Sequence, residues 1–236
     1  MTRVVNKHLL PVYDQPMIHY PLASLRTANI RRACVVVGGR EPGAFRELLG
    51  DGSELGFTDL SFMEQEGEGG IAAALACARP AVDSAPICVV LGDNILEDSL
   101  APFAEHFASS GKDAMVLLSQ VRDPRRFGVP SFDARGRIAV IEEKPSRPAS
   151  EFAVIGVYFY GPSVWRVLET LVPSARGELE ITDLNNHYAV RGELAHSVVE
   201  GFWGDAGTVE SLFDVSLRVR QWRQRGSSVM ASGEVA

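Results

Sequence analysis

At 236 residues, with 46% hydrophobic and 22% charged residues, the chain is long enough to bury a sizeable core as one large domain. A formal net charge of −7 speaks against broad nucleic-acid binding, which depends on Lys and Arg, so any phosphate ligand has to be held locally. Cys34, Cys77 and Cys88 are odd in number, lie in apolar surroundings and lack Cys-x-x-Cys spacing, which speaks against a disulfide framework or a zinc site. With no apolar run of roughly 20 residues and no signal peptide, the expected setting is cytoplasmic and away from membranes.

The run Asn6-Lys7-His8-Leu9-Leu10-Pro11-Val12-Tyr13-Asp14-Gln15-Pro16-Met17 comes first. In a nucleotide-binding α/β domain a strand and a glycine-rich turn precede such a segment, so the chain reads as beginning in the middle of an active site. A helix is expected over residues 17–28, then a strand over 32–39, a helix over 42–49, an alanine-rich helix over 70–78 and a strand over 86–93. Both strands are continuous, β-branched apolar runs ending in glycine, the pattern of strands buried on both faces. Alternation of strand and helix points to a doubly wound α/β fold. Past residue 110 strands dominate, over 114–121, 129–133, 137–143 and 152–160, with a hairpin turn at Asp133-Ala134-Arg135-Gly136 that makes the sheet mixed. A strand over 196–202 and a helix over 208–222 capped by Thr208 complete a domain of residues 1–225. Residues 226–236 read as a frayed tail.

Chemistry is expected where strands end. Asp93 follows Gly92 at the carboxyl end of an apolar strand, where ligands bind in open α/β sheets, and suits Mg²⁺ held against phosphates; a turn or cap aspartate is the alternative. Asp205, between Gly204 and Gly207 and just before a helix, is a second such carboxylate or else a helix-capping residue. Lys144 beside Glu143 suits a phosphate and hydroxyl groups respectively, or forms a solvated charged turn. The loop from Gln65 to Gly70 directs backbone N–H groups towards a base or phosphate, or is a plain connection. No nucleophile elbow, Walker loop or histidine ligand spacing is present, which disfavours triad hydrolases and P-loop NTPases.

Taken together, the opening run, Leu91-Gly92-Asp93-Asn94, Phe127-Gly128-Val129, Glu142-Glu143-Lys144-Pro145, Gly177 to Asp183 and Gly204-Asp205-Ala206-Gly207-Thr208 resemble the sugar-phosphate nucleotidylyltransferases, in order and at similar spacing from residue 2 to about 220. The resemblance implies a Rossmann-like, doubly wound, mixed and mainly parallel sheet of the nucleotide-diphospho-sugar transferase type. It also implies Mg²⁺-assisted attack of a sugar 1-phosphate on a nucleoside triphosphate, most closely glucose 1-phosphate on dTTP, with UTP the other candidate. By the same resemblance Lys7 contacts phosphates near the reacting centre, Asp93 and Asp205 hold Mg²⁺, and Lys144 binds the sugar phosphate. Glu143, Gly128 and Gly156 line the sugar site, Gln65 and Gly70 meet the base, and Tyr158 and Trp203 serve as pocket walls or as core. The family opens with a strand and a Gly-Gly-x-Gly-Thr-Arg loop, whereas Met1-Thr2-Arg3 here matches the residues just past that loop. The first strand is therefore expected to be missing, leaving two open edges near residues 33–38 and 87–92, and the chain as written to be nearly inactive. A noncatalytic paralogue binding sugar phosphates or NDP-sugars, or serving as a partner subunit, is the second reading, and a homo-oligomer is compatible with either.

Overall fold

A computed structural model describes residues 5–38, 42–67, 69–82 and 85–231, with side chains as far as Arg225; the expected match at Met1-Thr2-Arg3 lies outside the described residues. A single 3-10 turn at Lys7–Leu9 leads into the hairpin strands β1 (Pro11–Val12) and β2 (Gln15–Pro16). There follow α1 (His19–Thr27), β3 (Arg32–Gly38), α2 (Pro42–Leu49), β4 (Asp59–Gln65), α3 (Ile71–Cys77), β5 (Ile87–Val90), β6 (Asn94–Leu96) and α4 (Ala101–Ser110). The second half carries β7 (Ala114–Gln120), β8 (Gly128–Phe132), β9 (Ile138–Glu143), β10 (Phe152–Tyr160), α5 (Val164–Leu168), α6 (Ile181–Ala189), β11 (Leu194–Val198), β12 (Trp203–Asp205) and α7 (Val209–Ala231).

The main sheet has six strands in the order β11-β7-β10-β8-β9, with β5 also paired to β10. Only β11 and β7 run parallel within it; β10 is antiparallel to β5, β7 and β8, and β8 to β9. The sheet is mixed, as expected, but antiparallel pairs outnumber parallel ones among the described residues, which corrects the expectation of a mainly parallel sheet. The reason is local on one side and topological on the other. Asp133 accepts the N–H groups of Arg135 and Arg137 and folds β8 back onto β9, while β10 enters against both β5 and β7.

The core is built on β7, whose residues from Ala114 to Leu118 are all fully buried. Val116 and Leu118 face Tyr158, Tyr160, Trp165, Leu184 and Tyr188 on one side of the sheet. Met115 and Leu117 face Leu100, Phe107, Ile155 and Phe159 on the other, under α4. Burying such side chains stabilises the fold by roughly 1.5–3 kcal/mol each.

β3 and β4 form a separate parallel pair with its own core of Ile18, Leu22, Val35, Val37, Phe45 and Leu60 among others. Among the described residues β3 pairs with β4 alone and β5 with β10 alone, so each has an open edge, as expected. β5 is accordingly half-buried along its whole length rather than buried on both faces. It is also shorter than expected: the Leu91 N–H still binds the Gly156 carbonyl opposite it, but the Gly156 N–H goes to Asn94 Oδ1 and the Leu91 carbonyl takes the Asn94 N–H in a turn, and β6 begins at Asn94. The strand expected over 196–202 stops at Val198, because the carboxylate of Asp98 takes the N–H groups of Glu200 and Gly201 away from the ladder. α7 continues through Gly226 to Ala231, into residues expected to fray; a helical glycine costs only about 1 kcal/mol and no proline follows.

Candidate active site

Strand ends from the two halves of the chain meet at Asp93 and Asp205. Asn6 caps the 3-10 turn by accepting the His8 N–H, and its amide reaches the Gly38 carbonyl at the end of β3, which aims Lys7 inward. Lys7 Nζ lies 2.6 Å from Asp93 Oδ2 in a half-buried ion pair. β12 pairs antiparallel with β6, Asp205 opposite Asn94, and the Ala206 N–H donates to the Asp93 carbonyl. A Cβ at Gly207 would stand 2.7 Å from Asp205 Oδ1 and 3.4 Å from Asp93 Oδ2, so both carboxylates border one small space.

Their electrostatics differ. Burial works to raise Asp93, but the Lys7 ammonium, assisted by His8 and by the Asn94 amide, outweighs it and holds the carboxyl below its usual range. Asp205 is pushed up, first by burial and then by the charge of Asp93. His8 packs its ring against the backbone of Gly92, where a Cβ would come within 2.9 Å of Cδ2. Burial drives His8 down to about 4, with the Asp93 charge opposing and the Lys7 charge adding to the effect.

Asn94 ties the site together. It is buried, its Nδ2 donates to Asp93 Oδ1 at 3.0 Å, and its Oδ1 accepts from the Gly156 N–H at 2.9 Å and from Trp203 Nε1 at 2.7 Å. Gly156 acts here through what it lacks: a Cβ would stand 2.6 Å from Asn94 Nδ2 and 2.7 Å from Leu91 Cδ1. Trp203 meets Phe127 edge to face at 5.5 Å. Beside them a cleft of about 220 Å³ is lined by Arg126, Phe127, Trp203, Asp205, Ser211 and Asp214 among others.

A second group forms where β8 and β9 end. Gly128 is paired with Glu143, whose Oε2 accepts from Thr182 Oγ1 at 2.7 Å, and a Cβ at Gly128 would crowd Ile141, Glu143 and Thr182. Lys144 sits at φ 47°, a left-handed conformation rare outside glycine, with its N–H on the Phe127 carbonyl and its Nζ 3.6 Å from Glu143 Oε1. Tyr158 is buried in the core, its hydroxyl pushed up by burial and by the charges of Glu143 and Asp93, and it thus links the two acidic ends. Gln65 Nε2 donates to the Gly70 carbonyl at 3.0 Å, and the Gly69–Gly70 backbone is pinned to Leu179 just ahead of Thr182; Glu68 in this loop lies outside the described residues. His8, Asn94 and Thr182 escaped sequence reasoning although all three lie inside the quoted runs. Glu143, the partner of Thr182, lies 39 positions away, and Gly156 and Trp203, two of the partners of Asn94, lie 62 and 109 away, so these contacts exist only in the fold.

Similarity to known proteins agrees with this geometry. A family model for nucleotidyl transferases matches residues 1–221. A glucose-1-phosphate thymidylyltransferase of Neisseria meningitidis is 42% identical over 219 residues, which is 92% of this chain and 76% of that protein. A Bacillus anthracis structure in complex with sucrose, assigned as a glucose-1-phosphate thymidylyltransferase, superposes with a TM-score of 0.87 at 42% identity, covering 93% of this chain and 88% of that one. A UDP-glucose pyrophosphorylase complexed with UDP-glucose superposes at 0.78 with 21% identity over 91% and 90% of the two chains, a likeness of fold. Agreement of this extent across motifs, geometry and nearly the whole chain makes it a member of the nucleotidyl transferase family.

Proposed function

We propose that the chain joins glucose 1-phosphate to the nucleotidyl group of dTTP, releasing pyrophosphate and dTDP-glucose, with Mg²⁺ at Asp93 and Asp205. The observation that carries this reading is the meeting of Lys7, Asp93 and Asp205 at one end of a site whose other end is Gly128, Glu143 and Thr182. The names of the relatives favour glucose 1-phosphate and dTTP over UTP.

The donor set fits a hard cation. Two carboxylates border one space, and burial together with the charge of Asp93 raises Asp205, a cost that a bound divalent ion would relieve. When bound, Mg²⁺ supplies charge neutralisation and orientation at phosphate oxygens. The remaining work falls to the chain. A phosphate oxygen of the hexose phosphate bonds to the α-phosphorus, the bond to the bridging oxygen breaks, and its electron pair leaves with pyrophosphate. No protein nucleophile is needed, so positioning and charge carry the acceleration. Lys7 offers an ammonium to phosphate oxygens, and Lys144 offers a second to the hexose phosphate. Glu143, oriented by Thr182, accepts hydrogen bonds from sugar hydroxyls, Gly128 lets the ring approach, and Gln65 with Gly70 faces the base. Trp203 walls the site, and Tyr158, the other candidate wall, is core.

Three free thiols support a reducing, cytoplasmic setting for this reading, and no helix among the described residues is long and apolar enough to cross a membrane. Residues 1–225 are read as one domain. Binding is the first test. dTDP-glucose should raise the melting temperature more than UDP-glucose does, and Thr182→Val or Glu143→Ala should abolish the rise. Mixing dTTP, glucose 1-phosphate and Mg²⁺ should then yield pyrophosphate in excess over a UTP control. No stabilisation by either NDP-sugar at millimolar concentration would overturn the reading.

A further inference from the structure

The stretch from Ser174 to Glu180, which leads into α6, folds on itself. The Ser174 N–H donates to the Glu178 carbonyl and the Gly177 N–H to the Ser174 carbonyl, both at 2.8 Å, which closes a turn. Glu180 reaches back across that turn: its Oε1 accepts from Ser174 Oγ at 2.7 Å, and each of its oxygens accepts from Arg176 Nη2 at 2.9 Å. Burial works to raise this carboxyl, but the bonds from Ser174 and Arg176 outweigh it and hold it below its usual range. Only 15% of the Glu180 side chain is exposed, so salt screens the pair less than it would in open solvent.

The residues flanking Glu180 are tied to opposite ends of the site. Leu179, just before it, donates its N–H to the Gly69 carbonyl at 2.8 Å and accepts the Ala72 N–H at 3.3 Å, while Gln65 Nε2 holds the Gly70 carbonyl of the same loop at 3.0 Å. Thr182, two residues after it, holds Glu143 Oε2 at 2.7 Å. Among the described residues no strand pairing joins β3 and β4 to the sheet that carries β8 and β9, so the backbone bonds at Leu179 link the two where a ladder does not. We propose that Glu180 is a positioning residue: it fixes the span between the Gln65–Gly70 loop and Glu143, and so the fit of a ligand that reaches both.

The proposal rests on the function proposed above, which puts the base at one of these ends and the hexose at the other. A ligand with two joined ends gains over its separate halves through an effective concentration. That gain is large when the two sites stand at the matching distance, and it falls when the distance is wrong or loose. The Glu180 carboxylate spends its hydrogen bonds on Ser174 and Arg176, so its loss acts on the relation between the ends rather than on contacts at either one. Arg176 is about half exposed, and an ion pair of that kind adds little to stability; what it supplies here is a fixed shape for the turn.

Titration calorimetry of the 236-residue chain with Mg²⁺ tests this, using dTDP-glucose and its two halves, dTMP and glucose 1-phosphate, which join with loss of water. The readout is the association constant of dTDP-glucose divided by the product of those of the halves. Glu180→Ala should lower that quotient at least about tenfold, and Ser174→Ala about threefold, with folding checked by circular dichroism. Glu180→Gln should fall between the native chain and Glu180→Ala, because its amide oxygen still accepts from Ser174. A residue that only supported the fold, or only one end, would weaken dTDP-glucose and a half in equal measure and leave the quotient where it was. An unchanged quotient in Glu180→Ala, or in Ser174→Ala should the first fail to fold, overturns this inference alone when the native chain binds all three ligands. A native chain that binds none of them overturns the proposed function, and this inference with it.

Discussion

Replacing Asn94 by alanine removes one side chain that serves the Gly156 N–H, the Trp203 indole N–H and the Asp93 carboxylate together. The Gly156 N–H is buried and would be left without a partner, which costs about 1–3 kcal/mol. The indole of Trp203 is partly exposed, so water can take over, and the loss there is about 0.5–1 kcal/mol. The bond to Asp93 is charge-assisted but partly wet, and contributes about 1–2 kcal/mol. The total is roughly 2.5–6 kcal/mol, and at this chain length each kcal/mol moves the melting midpoint by about 2–4 °C, so a fall of roughly 5–24 °C is expected. Calorimetry and urea unfolding at pH 7 measure it. Trp203→Phe supplies the control, because it removes only the indole donor; the two substitutions should couple by about 0.5–1 kcal/mol. A fall below about 3 °C, or strict additivity of the two, refutes the reasoning.

Asp205→Asn removes the negative charge that Asp93 repels; since the carboxyl is raised in the fold, its ionised form opposes folding at pH 7. The variant should therefore melt higher without metal and lose the rise that Mg²⁺ gives the native chain. An unchanged Mg²⁺ response would remove Asp205 from the metal site. His8 is held neutral to about pH 4 against an ordinary 6.5, so below pH 6.5 the unfolded chain takes up a proton that the folded chain does not. Stability should fall by about 3 kcal/mol as pH drops from about 6.5 to about 4 in EDTA, and His8→Gln should flatten that part of the curve; equal slopes in urea titrations would count against it. Gly70 sits at φ 87° with the Leu179 carbonyl 2.6 Å from where a Cβ would be, so Gly70→Ala should cost about 2–4 kcal/mol by chemical denaturation. Gly67→Ala, at φ 69° in open space, should cost only about 1 kcal/mol; similar costs at both sites would show that the Leu179 contact is unimportant.

Parts of this fold announce themselves in the chain. β10 is an apolar run too long for a turn and too rich in β-branched and aromatic residues for a helix, and Asp93 and Asp205 each follow a glycine after a strand-like run, so both carboxylates were legible as candidate site residues. Direction is not legible in the same way: a strand such as Phe152–Tyr160 has the same composition whichever way its neighbours run, so antiparallel pairing came only with the topology. β4 was missed because Asp-Leu-Ser-Phe-Met-Glu-Gln is neither a continuous apolar run nor a strict alternation, and it becomes a strand by pairing with β3. α4 opens with Ala-Pro-Phe and ends in Ser-Ser, which hides it from periodicity. Thr182 and Asn94 were invisible as site residues for a different reason. Short polar side chains declare only that they will be hydrogen-bonded, and the fold chooses to what.

The loop at Gln65 and Gly70 hangs from β4, and the Asp93 turn hangs from β5, yet no strand pairing joins the two sheets among the described residues. Between them run the Asn6 amide on the Gly38 carbonyl and the packing of two helices: α3, which touches β3 and β4 on one side and α5 and α6 on the other, and α1, which packs Leu22 on the β3–β4 core and touches β5 and β6. Side-chain contacts yield in small sliding steps where a backbone ladder would hold a fixed register. The distance between the Gln65–Gly70 loop and the Asp93 turn is thus held by helix packing rather than by strand pairing among the described residues.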